Sequence, residues 1–133
     1  MDPPAVSLRT EPSPHLVTDT VDRLVAALDA RGIEVFARID HAAGAREAGL
    51  ELADEQLLVF GDPRVGTLLM QDDAAVGYEL PLRLLVWDDD GATRIGWRPP
   101  TELAAGYVVS ARAQVLERIE VLLEQLVAEA TAA

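Results

Sequence analysis

Apolar positions recur at two spacings along this chain, and the switches between them predict its elements. Val17, Val21, Leu24, Val25 and Leu28 fall three or four residues apart, with Asp19, Asp22, Arg23 and Asp29 off the stripe. That is an amphipathic helix with one buried face. Thr18 suits its N-cap and Gly32 its C-terminal stop. From Ile33 onward the spacing drops to two. Ile33, Val35, Ala37 and Ile39 share one side and Glu34, Phe36 and Arg38 the other, which predicts a strand with a single buried face. Asp40 is placed to cap a short helix running to Ala48, with Gly49 as its stop, and a second strand is expected from Gln56 to Phe60.

Gly61-Asp62-Pro63 is a helix start: Asp62 suits the N-cap, and Pro63 suits the first helical position, where a missing N–H costs nothing. The helix carries Val65, Leu68, Leu69 and Met70. Gly66 within it is unfavourable and asks for a packing or functional reason. A short helical turn is expected around Asp73 to Gly77. The runs Pro81 to Trp87 and Thr93 to Trp97 flank Asp88-Asp89-Asp90-Gly91 and predict a hairpin closed by an Asp-Gly turn. Thr101 suits the cap of a turn ending at Gly106. A long helix is expected from Ser110 to Ala130, on a stripe of Leu116, Ile119, Leu123, Leu126 and Ala130 that Val115, Leu122 and Val127 widen. So broad a stripe is expected to cover a sheet rather than form a coiled-coil seam.

At the amino terminus Pro3, Pro4, Pro12 and Pro14 bracket a run from Ala5 to Thr10 that alternates enough for an edge strand, which the prolines protect from stray pairing. The organisation read from the pattern is a proline-rich segment with a short edge strand over residues 1–14, a single α+β domain over 15–130 and a frayed tail over 131–133. The hairpin and the segregated long helices argue for a mainly antiparallel sheet rather than a doubly wound parallel one.

Composition narrows the function classes. With 133 residues, half of them hydrophobic, the chain suits one folded core. The net charge of −12 opposes docking to nucleic acid or an anionic membrane surface, because the eleven basic residues are all Arg and are scattered singly. The missing Lys and Asn fit a GC-rich bacterial source. No cysteine is present, which removes thiol chemistry, disulfides and cysteine-ligated metals. No apolar run approaches the ~20 residues of a membrane-spanning helix, and no secretory leader is visible, so a cytoplasmic location is expected.

Motif chemistry is sparse. Phosphate loops, dinucleotide fingerprints, HExxH and nucleophile elbows are all missing, so neither a cofactor nor a catalytic residue is assigned. The Asp88-Asp89-Asp90-Gly91 run lacks the spaced oxygens of a calcium loop and reads as a turn. Of two histidines, His15 reads as a surface residue. His41 follows Asp40 at a strand-to-helix junction, where the pair is either acid/base or metal-binding chemistry, or simply a cap and its first turn.

A resemblance joins these pieces. Asp40-His41 with Gly44-Ala45-Arg46-Glu47-Ala48-Gly49-Leu50, then Leu57-Leu58-Val59-Phe60-Gly61-Asp62-Pro63, Gly66-Thr67, Leu69-Met70-Gln71 and Leu80-Pro81-Leu82, is similar to the bacterial and archaeal domain-of-unknown-function family numbered three hundred and two. The similarity runs from about Val21 to Trp97. Asp62 and Leu68 stand where that family usually has Asn and a second proline. The resemblance implies a TATA-binding-protein-like sandwich, a curved antiparallel sheet with two long helices, and a homodimer, but no activity. It also groups Asp40, His41, Gly61, Asp62, Pro63, Gly66, Thr67 and Gln71 as candidate small-ligand residues. They share one rim if the strands ending at Asp40 and Gly61 run parallel and lie at opposite ends if these run antiparallel. The leading expectation is a non-catalytic ligand-binding or accessory module. The alternatives are a small enzyme using His41, with Asp40, Asp62 or Gln71 assisting, and a structural interaction protein in which Leu68, Leu69 and Met70 pack on a partner.

Overall fold

The computed structural model describes residues 8–133. Five strands form one sheet in the order β1-β5-β4-β3-β2, with every neighbouring pair antiparallel. They are β1 (Arg9–Ser13), β2 (Glu34–Asp40), β3 (Glu55–Gly61), β4 (Leu82–Asp89) and β5 (Ala92–Trp97). The helices are α1 (Val17–Ala30), α2 (His41–Glu47), α3 (Pro63–Asp72), α4 (Pro100–Leu103) and α5 (Ala113–Ala130), with 3₁₀ segments at Ala74–Glu79 and Ser110–Arg112. The α+β class and the antiparallel sheet follow the expectation.

Strand alternation decides which side is core. Leu58 and Phe60 of β3, Leu82, Leu84 and Val86 of β4, and Ile95 and Trp97 of β5 face α1 and α5 and are buried with them. Val21, Leu24 and Leu28 supply the α1 stripe, and Ile119, Leu123 and Leu126 that of α5. Arg9 fixes α5 over the β1 side of the sheet: its guanidinium pairs with Glu120 and Glu124 at 2.9 and 2.8 Å and lies 5.2 Å from the centre of the Trp97 ring.

Local chemistry set several boundaries as expected. Asp40 accepts from the Ala43 N–H at 2.9 Å and Asp62 from the Arg64 N–H at 3.0 Å, so both are side-chain caps. Gly32 and Gly49 stop their helices with φ of +66° and +76°. Asp90 and Gly91, at +53° and +93°, make the two-residue turn of the β4–β5 hairpin.

Other expectations are corrected. Thr18 does not cap α1; Leu16 holds that position with no side-chain bond, and the Thr18 hydroxyl instead accepts from Gln56 Nε2. The edge strand begins at Arg9, and Ala5 to Ser7 of the expected run lie outside the described residues. Strand β2 does not keep one buried face. A bulge between Val35 and Ala37 inserts Phe36, so Val35 pairs with Phe60 on the helix side while Ala37 and Ile39 pair with Val59 and Leu57 on the other. Ile39 is 42% exposed as a result. The last residues make specific contacts: Arg23 donates to the carbonyls of Ala130 and Ala132, and His15 Nε2 lies 2.7 Å from the Ala132 carbonyl. His15 is thereby half-buried rather than a plain surface residue.

Candidate functional site

Antiparallel pairing of β2 with β3 separates the grouped residues. Asp40 pairs with Gln56, and Gly61 pairs with Glu34. Five residues of β2 and four of β3 lie between those rungs, about 17 Å at the usual strand rise. Asp40 and His41 therefore sit at one end of the sheet, and the Gly61–Gln71 segment sits at the other. A single rim holding all eight residues is excluded.

At the first end little chemistry remains. The Asp40 carboxylate is engaged by its helix cap, and His41 is exposed without a hydrogen-bond partner among the described residues. Nowhere among the described residues do three metal-ligating side chains converge.

The second end contains a pocket of about 260 Å³. The start of α3 and the following 3₁₀ segment form one wall, with Pro63, Val65, Gly66, Thr67, Met70, Gly77 and Leu80. The sheet supplies Ile33, Phe36, Phe60, Gly61, Pro81 and Leu82, and α5 supplies Ile119 and Leu122. Gly61, Asp62, Pro63, Gly66 and Thr67 of the sequence grouping are thus brought together, whereas Gln71 is exposed on α3 and does not line the pocket.

Three glycines shape this space. A Cβ on Gly61 would lie 3.5 Å from Phe36 Cε2 and 3.6 Å from Pro81 Cβ, one on Gly66 would lie 3.5 Å from Leu80 Cδ1, and one on Gly77 would lie 3.1 Å from Met70 Sδ. Each side chain contacted is itself a pocket wall; at Gly61 and Gly66 the missing methyls are volume left to the cavity, whereas at Gly77 the glycine lets Met70 pack closer than a methyl would allow. Met70 bridges Gly66 and Gly77, and its flexible thioether suits an adjustable wall.

The polar groups at the start of α3 are spoken for, with the exception of the exposed Thr67 hydroxyl, which lines the pocket. The start of α3 was expected to offer free N–H groups to an anion or carbonyl, and it does not. Pro63 has no N–H, Arg64 N–H bonds the Asp62 carboxylate, and the N–H groups of Val65 and Gly66 both bond the Asp62 carbonyl at 2.9 and 3.0 Å. Asp62 is in turn gripped by the Arg64 guanidinium at 3.0 and 2.9 Å. Those bonds, with the one from the Arg64 backbone, hold its carboxyl below the usual carboxylate range. An enzyme built on His41 with Asp62 or Gln71 has no shared geometry here, and Leu69, offered as a partner contact, is fully buried in the chain's own core.

Sequence reasoning missed most of the apolar wall, since Ile33, Phe36, Val65, Ile119 and Leu122 come from three separate stretches and carry no motif. The one available signal was glycine at helical positions, Gly66 and Gly77, where side chains would ordinarily stabilise the backbone.

Comparison with known proteins bears on the family and the fold. The family model described as "Domain of unknown function DUF302" matches residues 9–126. A crystal structure of an uncharacterized conserved DUF302 protein from Bacillus stearothermophilus superposes with a TM-score of 0.84 at 24% identity, covering 95% of this chain and 99% of that one. A protein of Brucella suis named fluoride-specific ion channel FluC 1 is 48% identical over 82 residues, 62% of this chain and 32% of its own length. Its namesake in Brucella abortus is 48% identical over the same number of residues, 30% of its length. The chain therefore spans about a third of these relatives. No helix among its described residues is long and apolar enough to cross a membrane.

Proposed function

The chain belongs to the DUF302 family, and from that premise we propose that it is a non-catalytic binding module for a small, neutral, mainly apolar molecule held between α3, the sheet end and α5. The observation that carries the reading is a cavity of about 260 Å³, lined mainly by apolar side chains and left wider by Gly61 and Gly66, whose one charged neighbour, Asp62, is already paired with Arg64. Its volume lies just below the common range for small-molecule sites. A charged guest would lose its hydration with no opposite charge free to meet it there and only the Thr67 hydroxyl to bond, which costs several kcal/mol. The module acts as a homodimer in the cytoplasm of a bacterium; the bacterial relatives and the cysteine-free sequence support that placement.

Titration with indole and with indole-3-carboxylate, followed by calorimetry and amide chemical shifts, tests the pocket. Indole is expected to perturb residues of α3 and Leu122, with the carboxylate far weaker. Gly66→Leu, which projects a side chain into the space, should abolish the response while the circular dichroism spectrum is kept. Indole binding that survives Gly66→Leu unchanged would remove the pocket from consideration.

A second reading rests on the Brucella relatives, in which a stretch like this chain is part of a longer protein named for a fluoride channel. An ion channel must cross a membrane, and none of the described helices here is built for that. We propose on that basis that domains of this kind act as accessory or sensing units beside a channel, not as the anion path. Liposomes bearing the Brucella suis protein with its matched stretch deleted, or replaced by this chain, test the idea. Fluoride efflux that is the same in all three forms excludes it.

A further inference from the structure

The sheet face turned away from α1 and α5 has a pattern that the pocket does not explain. Residues paired across antiparallel strands share a face, and three successive rungs of β3 and β4 on this side are Glu55 with Trp87, Leu57 with Leu85, and Val59 with Arg83. Leu57, Val59, Leu85 and Trp87 are half-buried, and Ile39 beside them is 42% exposed. The six-membered ring of Trp87 reaches over Gly96 of β5: a Cβ on that glycine would come within 2.9 Å of Trp87 Cζ3. The face is therefore a low apolar platform with one acidic and one basic residue at its two ends.

Those end charges are unpaired. Neither Glu55 nor Arg83 takes part in an ion pair among the described residues, although eight such pairs occur. Their placement is self-complementary. A twofold axis lying between two such faces, crossing the strands level with Leu57 and Leu85, reverses the strand direction. It carries Glu55 of one copy to the end where Arg83 of the other stands, and does so twice. The same operation sets each Arg83 towards the partner's Trp87, where a guanidinium over an indole is favourable. Sheets stack about 10 Å apart, a gap that Arg and Glu side chains from opposite faces span together.

The rest of the surface opposes self-association, because two copies of net charge −12 repel. This face is far less acidic, with two basic against three acidic residues. Its outward charges are Arg83 and Arg94 against Glu34, Glu55 and Asp89, and Arg94 with Asp89 already form a pair at 3.1 Å.

We infer that a second copy of this chain docks face to face on the outer side of the sheet, with Leu57, Leu85 and Trp87 at its centre and reciprocal Glu55–Arg83 pairs at its ends. The inference rests on the homodimer reading above and adds to it a surface, a symmetry and a pairing. Isologous contact of this kind closes on itself and leaves the pocket free, since that lies on the far side of the sheet end under α3.

Charge reversal tests it. Sedimentation velocity over a concentration series is run on the full chain and on Glu55→Arg, Arg83→Glu, the double variant and Leu85→Glu, with circular dichroism confirming that each folds. The wild-type chain is expected to be dimeric. Each single reversal should weaken the dimer about tenfold or more, a loss of about 1.4 kcal/mol. Leu85→Glu should abolish the dimer, and the double reversal should restore the wild-type constant to within a few-fold. A dimer indifferent to all four variants overturns this surface while leaving the dimer reading intact. A wild-type chain that stays monomeric across the series overturns both.

Discussion

Gly66 offers the sharpest test of the idea that the pocket, not the backbone, is why glycine stands in α3. It occupies the fourth position of the helix with no positive φ, so the conformation suits any L-residue. Gly→Ala in a helix interior is worth about 0.8–1 kcal/mol. The added methyl would meet Leu80 Cδ1 at 3.5 Å and Met70 Cε at 3.9 Å, both ordinary contacts, so no steric term opposes the gain. For a chain of this length a stabilisation near 1 kcal/mol corresponds to a rise in Tm of roughly 3–5 °C. Thermal unfolding of Gly66→Ala followed by circular dichroism measures that rise. The same methyl points into the cavity, so indole affinity should fall in the variant that gains stability. The opposition of the two effects is the point of the experiment. A variant that loses stability would refute the reasoning, because it would mean that the wall around Gly66 is closed. A variant that gains stability and keeps full indole affinity would refute the pocket as the reason for the glycine.

Gly96→Ala is expected to cost about 1–3 kcal/mol in urea unfolding, because its Cβ would collide with the Trp87 ring at 2.9 Å; in a Trp87→Ala background most of that cost should go, leaving the 3.2 Å approach to Leu8 Cδ1. Asp62→Ala removes the α3 cap and should cost about 1 kcal/mol near neutral pH. Because Arg64 depresses the Asp62 pKa, the contribution of the carboxylate is complete above its unfolded value of about 3.9 and is lost as pH falls through the lower folded value. The Tm gap between wild type and Asp62→Ala should therefore close in strong acid, and a gap constant down to pH 2 would contradict the assignment. Asp40→Ala and His41→Ala should leave indole binding unchanged in calorimetry, since both residues lie at the other end of the sheet.

Elements whose limits depend on local chemistry were legible in the sequence. Asp40 and Asp62 cap because a short carboxylate reaches an N–H two or three residues on, and Asp90-Gly91 turns because both adopt positive φ. What failed was non-local. The inserted residue at Phe36 leaves the alternation Ile33, Val35, Ala37, Ile39 looking continuous, although the bulge turns its second half to the opposite face. Thr18 was a fair cap by type, but its hydroxyl is taken by Gln56, a residue 38 positions away. The shared rim failed for the same cause: the residues at strand ends could be read, whereas strand direction is set by the topology of the whole sheet. Inward-facing apolar residues carry no chemical label, so the pocket walls were visible only as core.

Charge explains why the two readings of this molecule agree. The acidic excess is carried largely by helix surfaces, strand ends and loops, as at Asp19, Asp22, Asp29, Glu117 and Glu124. Two places carry little of it: the cavity beside α3, where Asp62 is neutralised by Arg64, and the outer sheet face, where Arg83 and Arg94 stand against Glu34, Glu55 and Asp89. A strongly acidic chain keeps such places weakly charged at some cost in solubility, because apolar surface held away from charge promotes association. That cost is offset if each such place is covered in the working state, one by a small apolar guest and the other by a second copy. On this argument a charge placed in either spot should damage one function and spare the other. Gly66→Asp is expected to abolish indole binding and leave the sedimentation constant untouched, and Leu85→Glu to do the reverse. Loss of both properties in either variant, with the fold retained, would show that pocket and face are coupled and that the division drawn here is wrong.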